Sequence, residues 1–285
     1  MTKPRTTGPW ADLPPGPHVM GIVNVTPDSF SDGGRTPSQA VDLGLEMLDD
    51  GAAIIDVGGE STRPGATPVS PDEEQRRVLP VIEALARRGA MVSVDTRHAS
   101  TMVRAAQSGA RIINDVSGLT FDAKAVETVA SLACPVVIMH MRGTPETMNS
   151  LAHYADVTTE VYAELTDRVN AAVRAGVARE RVAVDPGFGF AKNAQQSADL
   201  LRNLALFVNL RCPIIAGLSR KRFVGALAGV DLAAERDAAS IAAGLFAVER
   251  GASVLRVHNV RATVHALRVW TELNRVTEPV SERSS

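Results

Sequence analysis

The chain has 285 residues, of which 45% are hydrophobic and 22% are charged, a composition typical of globular proteins. Its formal net charge of −2 provides no overall basic field, which argues against a nucleic-acid partner and requires any anion site to be local. The sequence contains no run of about 20 apolar residues, which excludes an apolar helix that spans a membrane.

The two cysteines are typical of a protein in a reducing compartment. Cys134 and Cys212 each precede an apolar run, where they are predicted to be small buried hydrophobic residues. They form neither a disulfide framework nor a CxxC metal site. Residues 1–17 contain no apolar core of the kind found in signal peptides. We therefore expect a cytoplasmic protein.

The ends of the sequence differ from its middle. Residues 1–17 contain five prolines and two glycines, and residues 277–285 are polar, so both segments are predicted to be tails. Between them, residues 18–276 alternate short apolar runs with amphipathic stretches and are predicted to form a single domain.

Eight short apolar runs are rich in Val or Ile and are bounded by turn residues, which predicts buried strands. They are Val19–Val25, Ala53–Val57, Met91–Val94, Ile112–Val116, Val136–Met141, Val182–Val184, Ile214–Leu218 and Val254–Val257.

Helical patterns separate the runs. Apolar residues recur at helical spacing, so each predicted helix has one apolar face that must cover a sheet. The sets are Val41, Gly44, Leu45 and Leu48, then Val78, Val81, Ile82 and Leu85, then Val126, Val129, Ala130 and Ala133. Glycines follow several helical stretches, where a left-handed residue often ends a helix. These are Gly51, Gly89, Gly109 and Gly251.

Eight β–α units in about 250 residues match the size of a TIM (β/α)8 barrel, an α/β fold of one domain. A doubly wound open sheet is the alternative. The G-x-G-x-x-G fingerprint is missing after the first predicted strand, which argues against the dinucleotide-binding form of that sheet.

Polar residues collect at the carboxyl ends of the predicted strands, where barrel active sites lie. One Asp at a strand end is often only a helix cap, but every predicted strand ends in polar or charged groups, so we predict that they converge on one cavity. Buried carboxylates there need donors, which a ligand rich in N–H groups would supply. The residues are Asn24, Asp56, Asp95, Asn114, Asp115, His140, Asp185, Ser219, Arg220, Lys221, Arg256 and His258.

Two long polar loops follow the first two strands, at residues 26–34 and 58–65. They are rich in glycine and longer than a minimal βα turn. They are either solvated surface loops or lids that close over a site.

These motifs, in this order, resemble the dihydropteroate synthases across about residues 18–275. The similar segments are 24–34 (NVTPDSFSDGG), 56–65 (DVGGESTRPG), 93–96 (SVDT), 113–118 (INDVSG), 139–145 (MHMRGTP), 185–190 (DPGFGF), 219–221 (SRK) and 256–258 (RVH). The resemblance implies a TIM barrel that joins p-aminobenzoate to (7,8-dihydropterin-6-yl)methyl diphosphate in folate synthesis, assisted by Mg²⁺.

The resemblance also implies residue roles, and carboxylates and carboxamides suit the N–H edge of a pterin ring. The pterin-binding residues are then Asp95, Asn114, Met139, Asp185, Phe190, Lys221 and Arg256. From residue type alone, Met139 and Phe190 are equally typical of plain core. The diphosphate-binding residues are Asn24, Thr62, Arg63, Arg256 and His258, with Asn24 also the Mg²⁺ ligand. The p-aminobenzoate pocket is formed by Phe30, Thr62, Pro64 and Arg222. The catalytic residues are Asp32, Arg63 and Lys221, with Asp32 steadying a cationic carbon.

The sequence departs from the family at three positions. Residue 191 is often Gly in relatives and is Ala191 here, residue 222 is often Ser and is Arg222 here, and Asn259 replaces a usual Asp. The segment before the first strand is short, so the hairpin that often plugs the barrel bottom is expected to be incomplete.

Two other functions are compatible with parts of the pattern. A methyltransferase domain that binds methyltetrahydrofolate would share the pterin carboxylates but has no use for a diphosphate site. A degenerate relative that only binds pterin or a partner is the non-enzymatic alternative. The resemblance implies a homodimer formed through late helices. The Ala-rich segment Ala238–Ala247 is compatible with such packing or with core.

Overall fold

The computed structural model describes residues 9–26, 36–62 and 65–275. Eight parallel strands form a closed barrel in sequence order, and the last strand pairs with the first. The barrel confirms the predicted (β/α)8 architecture and excludes the open sheet. The strands are β1 (His18–Asn24), β2 (Ile54–Gly58), β3 (Val92–Asp95), β4 (Ile112–Asp115), β5 (Val136–Met139), β6 (Val182–Asp185), β7 (Ile214–Ala216) and β8 (Ala252–Val257).

Helices within the described ranges surround the barrel. They are α1 (Pro37–Asp49), α2 (Pro71–Arg87), α3 (Ala99–Gln107), α4 (Ala125–Leu132), α5 (Val157–Arg174), α6 (Ala194–Arg202), α7 (Arg222–Ala228), α8 (Asp237–Glu249) and α9 (Val260–Leu273). Short 3₁₀ helices lie at Pro9–Asp12, Met148–Leu151, Arg179–Arg181, Leu204–Leu210 and Ala233–Arg236.

The eight predicted runs all form strands, with ends that differ by no more than two residues. The helical patterns are also confirmed, except that Ala133 lies just after the end of α4 and is exposed. The apolar face of α2, formed by Val78, Val81, Ile82 and Leu85, is fully buried against the barrel. The four glycines predicted to follow helices adopt left-handed backbone, with φ of +99° at Gly51, for example. This region is open to glycine without the steric cost of a Cβ.

The alternation of side chains along the strands gives the barrel interior its layers. Near the amino ends, the inward side chains are apolar and form a cluster that fills the lower barrel. Its members are Met20, Ile54, Ile112, Val137, Ala183, Ile215 and Val254, with Trp10 below them. The outward side chains pack against the helices in a larger core.

Trp10 closes the bottom of the barrel. It is 4% exposed, packs in the inner cluster, and donates from Nε1 to the Arg181 carbonyl at 3.0 Å. Leu13 packs against the same cluster. Because a large indole buries much apolar area, residues 1–17 are not a loose tail throughout, and the segment with Trp10 belongs to the barrel. In the described residues 9–17, the segment that precedes β1 contains a one-turn 3₁₀ helix.

The two cysteines are free thiols, as predicted, with Cys212 buried and Cys134 only half-buried. In the described part of the chain, none of the helices has the length and apolar character needed to cross a membrane.

Candidate active site

Toward the carboxyl ends of the strands, the inward-facing side chains that follow the apolar layer are polar. Since side chains alternate along a strand, residues two positions later point to the same side. Asp56 follows Ile54 in this way, Asn114 follows Ile112, and Asp185 follows Ala183. Arg256 follows Val254, and Asp95 is aligned with Asn114 across β3 and β4. The carboxyl end of the barrel is therefore lined by acids, an amide and a guanidinium.

Arg256 is the centre of this polar layer. Its Nε donates to Asp56 Oδ2 at 2.6 Å, and its Nη2 donates to Asp95 Oδ2 at 2.8 Å. Asn114 Nδ2 donates to the same Asp56 oxygen at 3.0 Å. One buried carboxylate therefore orients both the amide and the guanidinium, which leaves the Asn114 carbonyl oxygen for another partner.

Asp56 is a residue of the site whose role the sequence does not predict. The sequence identifies it only as a polar residue at the end of a strand. Its side chain is fully buried, and Oδ1 has no hydrogen-bond partner among the described residues. The signal was present in the inward period of β2, since Asp56 replaces an apolar residue at an interior position.

Two carboxyl groups in this layer have raised pKa values. Burial raises the pKa of Asp95 to about 8, with the Arg256 charge opposing the shift and the Asp56 charge adding to it. Burial also raises the pKa of Asp185, against the charge of Lys221. Shifts of this kind indicate carboxyl groups whose hydrogen-bond donors do not fully offset their burial, and they are typical of functional sites. A ligand that presents N–H groups would supply those donors.

Lys221 approaches the same space from the loop after β7. Its Nζ donates to the Phe188 carbonyl and lies 4.5 Å from the centre of the Phe190 ring. Burial lowers the pKa of Lys221 to about 8, and the Asp185 carboxylate opposes this change. The ammonium therefore lies beside an aromatic face and close to a carboxylate.

An apolar wall completes the pocket on the side of β5 and β6. Met139 is buried in a small cluster, and Phe190 packs partly buried against it. The cluster is separate from the two main cores, and its other members are Val116, Met141, Met148 and Ala191. Met139 is aligned with Asp185 across the strands. Both residues lie at the mouth and not in the general core.

His258 and Ser219 lie together after β8 and β7. The Ser219 hydroxyl accepts a hydrogen bond from the His258 backbone N–H at 3.2 Å, and it lies 3.0 Å from His258 Nδ1. The loops after strands 7 and 8 are the usual phosphate site of this fold. His258 thus lies at this end of the barrel, and its role in binding a diphosphate stays a prediction.

Not all of the polar strand-end residues face one cavity, contrary to the prediction. Asp115 and His140 point away from the mouth, because each follows an inward residue by one position. Asp115 accepts hydrogen bonds from the backbone N–H groups of Ser117 and Leu119, and it orders its own loop. His140 is directed toward Glu164 of α5.

Arg220 also points away from the pocket. It forms a bidentate pair with Asp237 at 2.7 and 3.0 Å. Its φ of +59° is a left-handed conformation that turns the chain between Ser219 and Lys221. The neighbouring Arg222 begins α7 with an exposed side chain.

Part of the predicted site lies outside the described residues. Phe30, Asp32, Arg63 and Pro64 all belong to this group. Thr62 is described and is partly buried, at the edge of the second loop. The assignment of these five residues stays a prediction.

The second loop is anchored at its base by an ion pair that the sequence did not reveal. Glu60 accepts two hydrogen bonds from Arg97, both at 2.8 Å, and both side chains are nearly fully buried. Glu60 Oε1 also accepts the backbone N–H of Val69 at 3.0 Å, which closes the loop on itself. The Arg97 guanidinium lies 3.9 Å from the centre of the Phe121 ring.

Asn24 ends β1 at the mouth, opposite Gly58 of β2. In the described ranges, no group of three or more His, Cys, Asp or Glu side chains is arranged to hold a metal ion. A single neutral amide oxygen fits Mg²⁺ only when a substrate diphosphate and waters provide most of the ligands, which is common for this ion. The donor set therefore fits an ion that arrives with an anionic substrate.

Two departures from the family pattern have clear structural outcomes. Ala191 adopts a left-handed φ of +49°, so glycine would relieve strain at this position. Asn259 accepts the Ala262 N–H at 3.1 Å as the cap of α9 and donates to Asp237 at 3.0 Å. The amide thus keeps the capping role and adds a hydrogen bond that a carboxylate could not donate.

The fold and the polar mouth define a barrel enzyme that binds a flat heterocycle rich in N–H groups. Residues 20–258 match the family described as pterin binding enzyme. The chain is 46% identical over 256 residues to the dihydropteroate synthase of Escherichia coli K12, and the match covers 89% of this chain and 90% of that protein.

Solved structures give the same result. The dihydropteroate synthase of Xanthomonas albilineans with 4-aminobenzoic acid is 48% identical, with a TM-score of 0.87 over 92% of this chain and 95% of that one. The complex of the enzyme from the same organism with 7,8-dihydropteroate is 45% identical, with a TM-score of 0.84 and the same coverage. The chain therefore belongs to the pterin-binding enzyme family and, within it, to the dihydropteroate synthases.

Proposed function

We propose that this chain condenses (7,8-dihydropterin-6-yl)methyl diphosphate with 4-aminobenzoate to give 7,8-dihydropteroate and diphosphate. One observation carries the proposal. Arg256 bridges Asp56 and Asp95 at the same mouth where Asp185 and Lys221 meet, so hydrogen-bond acceptors for a heterocycle lie beside cations for a leaving group. The related structures with 4-aminobenzoic acid and with 7,8-dihydropteroate support these substrate classes.

The pterin ring would lie among Asp95, Asn114 and Asp185. Carboxylates and an amide oxygen accept from its N–H edge, and Lys221 donates to its acceptor atoms. Met139 and Phe190 would pack against the ring. The raised pKa values of Asp95 and Asp185 support this arrangement, because further N–H donors from a ligand would stabilise the charged form of two buried carboxyl groups.

The diphosphate would lie toward His258 and Arg256, with Thr62 and Arg63 contributing from the second loop. We propose that the C–O bond to the diphosphate breaks before the new bond forms, with its electron pair going to the leaving oxygen. The dihydropterin delocalises the resulting cation, and the surrounding donors stabilise the developing negative charge.

Mg²⁺ is proposed to bind with the substrate, with Asn24 as its protein ligand. When bound, the ion would neutralise charge on the diphosphate. Asn24, at the end of β1, would orient the diphosphate with respect to the pterin methylene carbon. Turnover should depend on added Mg²⁺, and Asn24→Ala should need a higher Mg²⁺ concentration for half-maximal turnover; an unchanged Mg²⁺ requirement in that variant would contradict the assignment.

The amine nitrogen of 4-aminobenzoate then forms the C–N bond with its lone pair and releases one proton. The arylamine is already nucleophilic, so the site needs no strong base. Phe30, Thr62, Pro64 and Arg222 would form its pocket. Asp32 would stabilise the cationic carbon, and Arg63 and Lys221 would assist departure of the leaving group.

Release of diphosphate with both substrates present tests the reaction. We expect turnover that requires 4-aminobenzoate. A pterin-binding domain that transfers methyl groups would show none, and neither would a protein that only binds pterin. In a separate calorimetric experiment, Asp95→Ala should abolish binding of the pterin, and retained affinity would remove the assignment.

A homodimer in the cytoplasm is the proposed state of the protein. Exposed apolar side chains on the late helices support a dimer, since Val269 and Leu273 of α9 are 61% and 80% exposed. In the Ala-rich segment, Gly244 and Ala247 are buried against the barrel, so that part is core. Sedimentation of the purified protein tests the dimer.

A further inference from the structure

A buried lysine beside the site ties together the loop that carries Phe190. Lys192 follows β6 and is 7% exposed. Its Nζ donates to the Gly187 carbonyl at 3.0 Å and to the Phe190 carbonyl at 2.9 Å, and it lies 2.8 Å from His140 Nδ1. Burial lowers the pKa of Lys192 well below its ordinary value.

The histidine acceptor is fixed from its other side. His140 is fully buried, and its Nε2 lies 2.9 Å from Glu164 Oε2 on α5. Because the Glu164 carboxylate can only accept, the network assigns the ring proton to Nε2, and Nδ1 of the neutral ring then accepts from Lys192. Lys192 therefore donates to three acceptors, which requires the three N–H bonds of the ammonium form. Burial lowers the pKa of His140 to about 3, and the hydrogen bond to His140 lowers the pKa of Glu164 to about 2. A neutral imidazole thus connects an ammonium to a carboxylate.

The loop after β6 has a backbone that needs such support. Gly187, Gly189 and Ala191 all have left-handed φ values, +72°, +75° and +49°. A Cβ at Gly187 would lie 1.9 Å from the His140 carbonyl oxygen, so the backbone packs closely against the end of β5. The two glycines adopt this conformation without cost, but Ala191 is strained, and strained residues persist only where their surroundings hold them. Lys192 does so by binding the carbonyls at both ends of residues 187–190.

This loop sets the position of groups that form the pterin site. The Gly187 N–H donates to Asp185 Oδ1 at 2.7 Å. The Phe188 carbonyl accepts from Lys221, and the Phe190 ring lies below the same ammonium. A shift of the loop would therefore move the aromatic wall and the lysine together.

We propose that Lys192 is a positioning residue for the pterin subsite. Its buried ammonium, oriented by His140 and Glu164, fixes residues 187–190 so that Phe190 and Lys221 are prepared to receive the heterocycle. This inference rests on the proposed function. It adds a residue that touches neither substrate and lies behind the loop.

Lys192→Met tests this role, because it keeps the length of the side chain and removes the donors. Lys124→Met is the matched control, since Lys124 is exposed at the start of α4. We expect KM for the pterin diphosphate to rise about tenfold in Lys192→Met, in keeping with the loss of charge-assisted hydrogen bonds. KM for 4-aminobenzoate should stay within about twofold, and Lys124→Met should match the wild type.

A folded Lys192→Met protein with wild-type KM for the pterin, or with equal rises in KM for both substrates, would overturn the inference. Glu164→Gln provides a second test if Lys192→Met does not fold. It keeps an acceptor for His140 but removes the charge, so a rise of about threefold in pterin KM is expected. Wild-type pterin KM in that variant would also overturn the inference. Failure of the wild type to release diphosphate would instead refute the proposed function, and calorimetry with the pterin diphosphate would still test Lys192.

Discussion

Arg256 Nε donates to Asp56 Oδ2 at 2.6 Å, between two strands that lie on either side of β1. Asp56 is fully buried, while the Arg256 side chain is 20% exposed toward the mouth. The carboxylate therefore serves as a fixed support for a cation that faces the substrate. Burial lowers the pKa of Arg256, but the nearby Asp56 and Asp95 carboxylates raise it by more than burial lowers it. The guanidinium therefore stays charged throughout the accessible pH range.

Asp56→Asn should weaken binding of the pterin diphosphate more than it changes the fold. The variant keeps the shape of the side chain but loses the charge that orients Arg256 and Asn114. We expect Kd to rise about tenfold or more by calorimetry, as for a buried charge pair that loses one partner.

Asp50→Asn is the control for this experiment. Asp50 pairs with Arg261 at 2.7 Å on the surface, where Arg261 is 64% exposed, so its loss should change stability by less than about 1 kcal/mol. Similar pterin affinity in both variants would contradict a special role of Asp56.

The fold could be predicted from the sequence because strand and helix periods are local. Val78, Val81, Ile82 and Leu85 recur at helical spacing, and the same four residues are buried in α2. Which polar residues face the barrel interior was harder to predict from the sequence. A strand end such as Asn114-Asp115 gives two polar residues, and only the register decides that Asn114 faces the mouth while Asp115 orders a loop.

Contacts between distant segments were beyond sequence reasoning. Glu60 and Arg97 are separated by 37 positions, and neither neighbourhood indicates that they pair. The same is true of Lys192 and His140, which lie 52 positions apart. The segment that contains Trp10 was predicted wrongly. It is rich in proline and is predicted to be a tail, although the Trp10 indole packs in the inner cluster of the barrel. Composition does not reveal which single side chain of a segment packs into the core.

The pH dependence of kcat/KM for the pterin diphosphate should be a narrow bell centred near pH 8. Asp95 has a raised pKa of about 8 and must lose its proton to accept from the ring, so activity rises as pH increases toward this value. Lys221 has a lowered pKa of about 8 and must keep its proton to donate, so activity falls above it.

Lys221→Gln distinguishes the rising limb of the pH profile from its falling limb. The amide still donates a hydrogen bond but does not titrate, so the residual activity should lose its falling limb up to about pH 9.5. Initial rates at low pterin concentration measure this directly. A falling limb that persists in Lys221→Gln, or a wild-type profile that is flat between about pH 6 and 9, would assign the titration to other groups.

Asp32→Ala should lower kcat far more than pterin affinity. A carboxylate that stabilises a cationic carbon acts mainly in the transition state, so its removal should reduce kcat by about 100-fold while Kd for the pterin changes by less than about threefold. Single-turnover rates and calorimetry measure the two quantities separately. Equal losses in rate and affinity would place Asp32 in ground-state binding.

Arg97→Met should weaken 4-aminobenzoate selectively. Arg97 holds Glu60, and Glu60 closes the loop that carries Thr62, so the variant releases the base of that loop while leaving Asp95 and Arg256 in place. Losing a buried pair with two hydrogen bonds should raise KM for 4-aminobenzoate about tenfold, with pterin Kd within about twofold. Arg87→Met is the matched control, because Arg87 pairs with Glu83 on the exposed face of α2 and should leave both constants unchanged. If Arg97→Met instead weakened the pterin and spared 4-aminobenzoate, the loop it anchors would belong to the heterocycle and not to the amine, and the assignment of Thr62 to the second substrate would have to be abandoned.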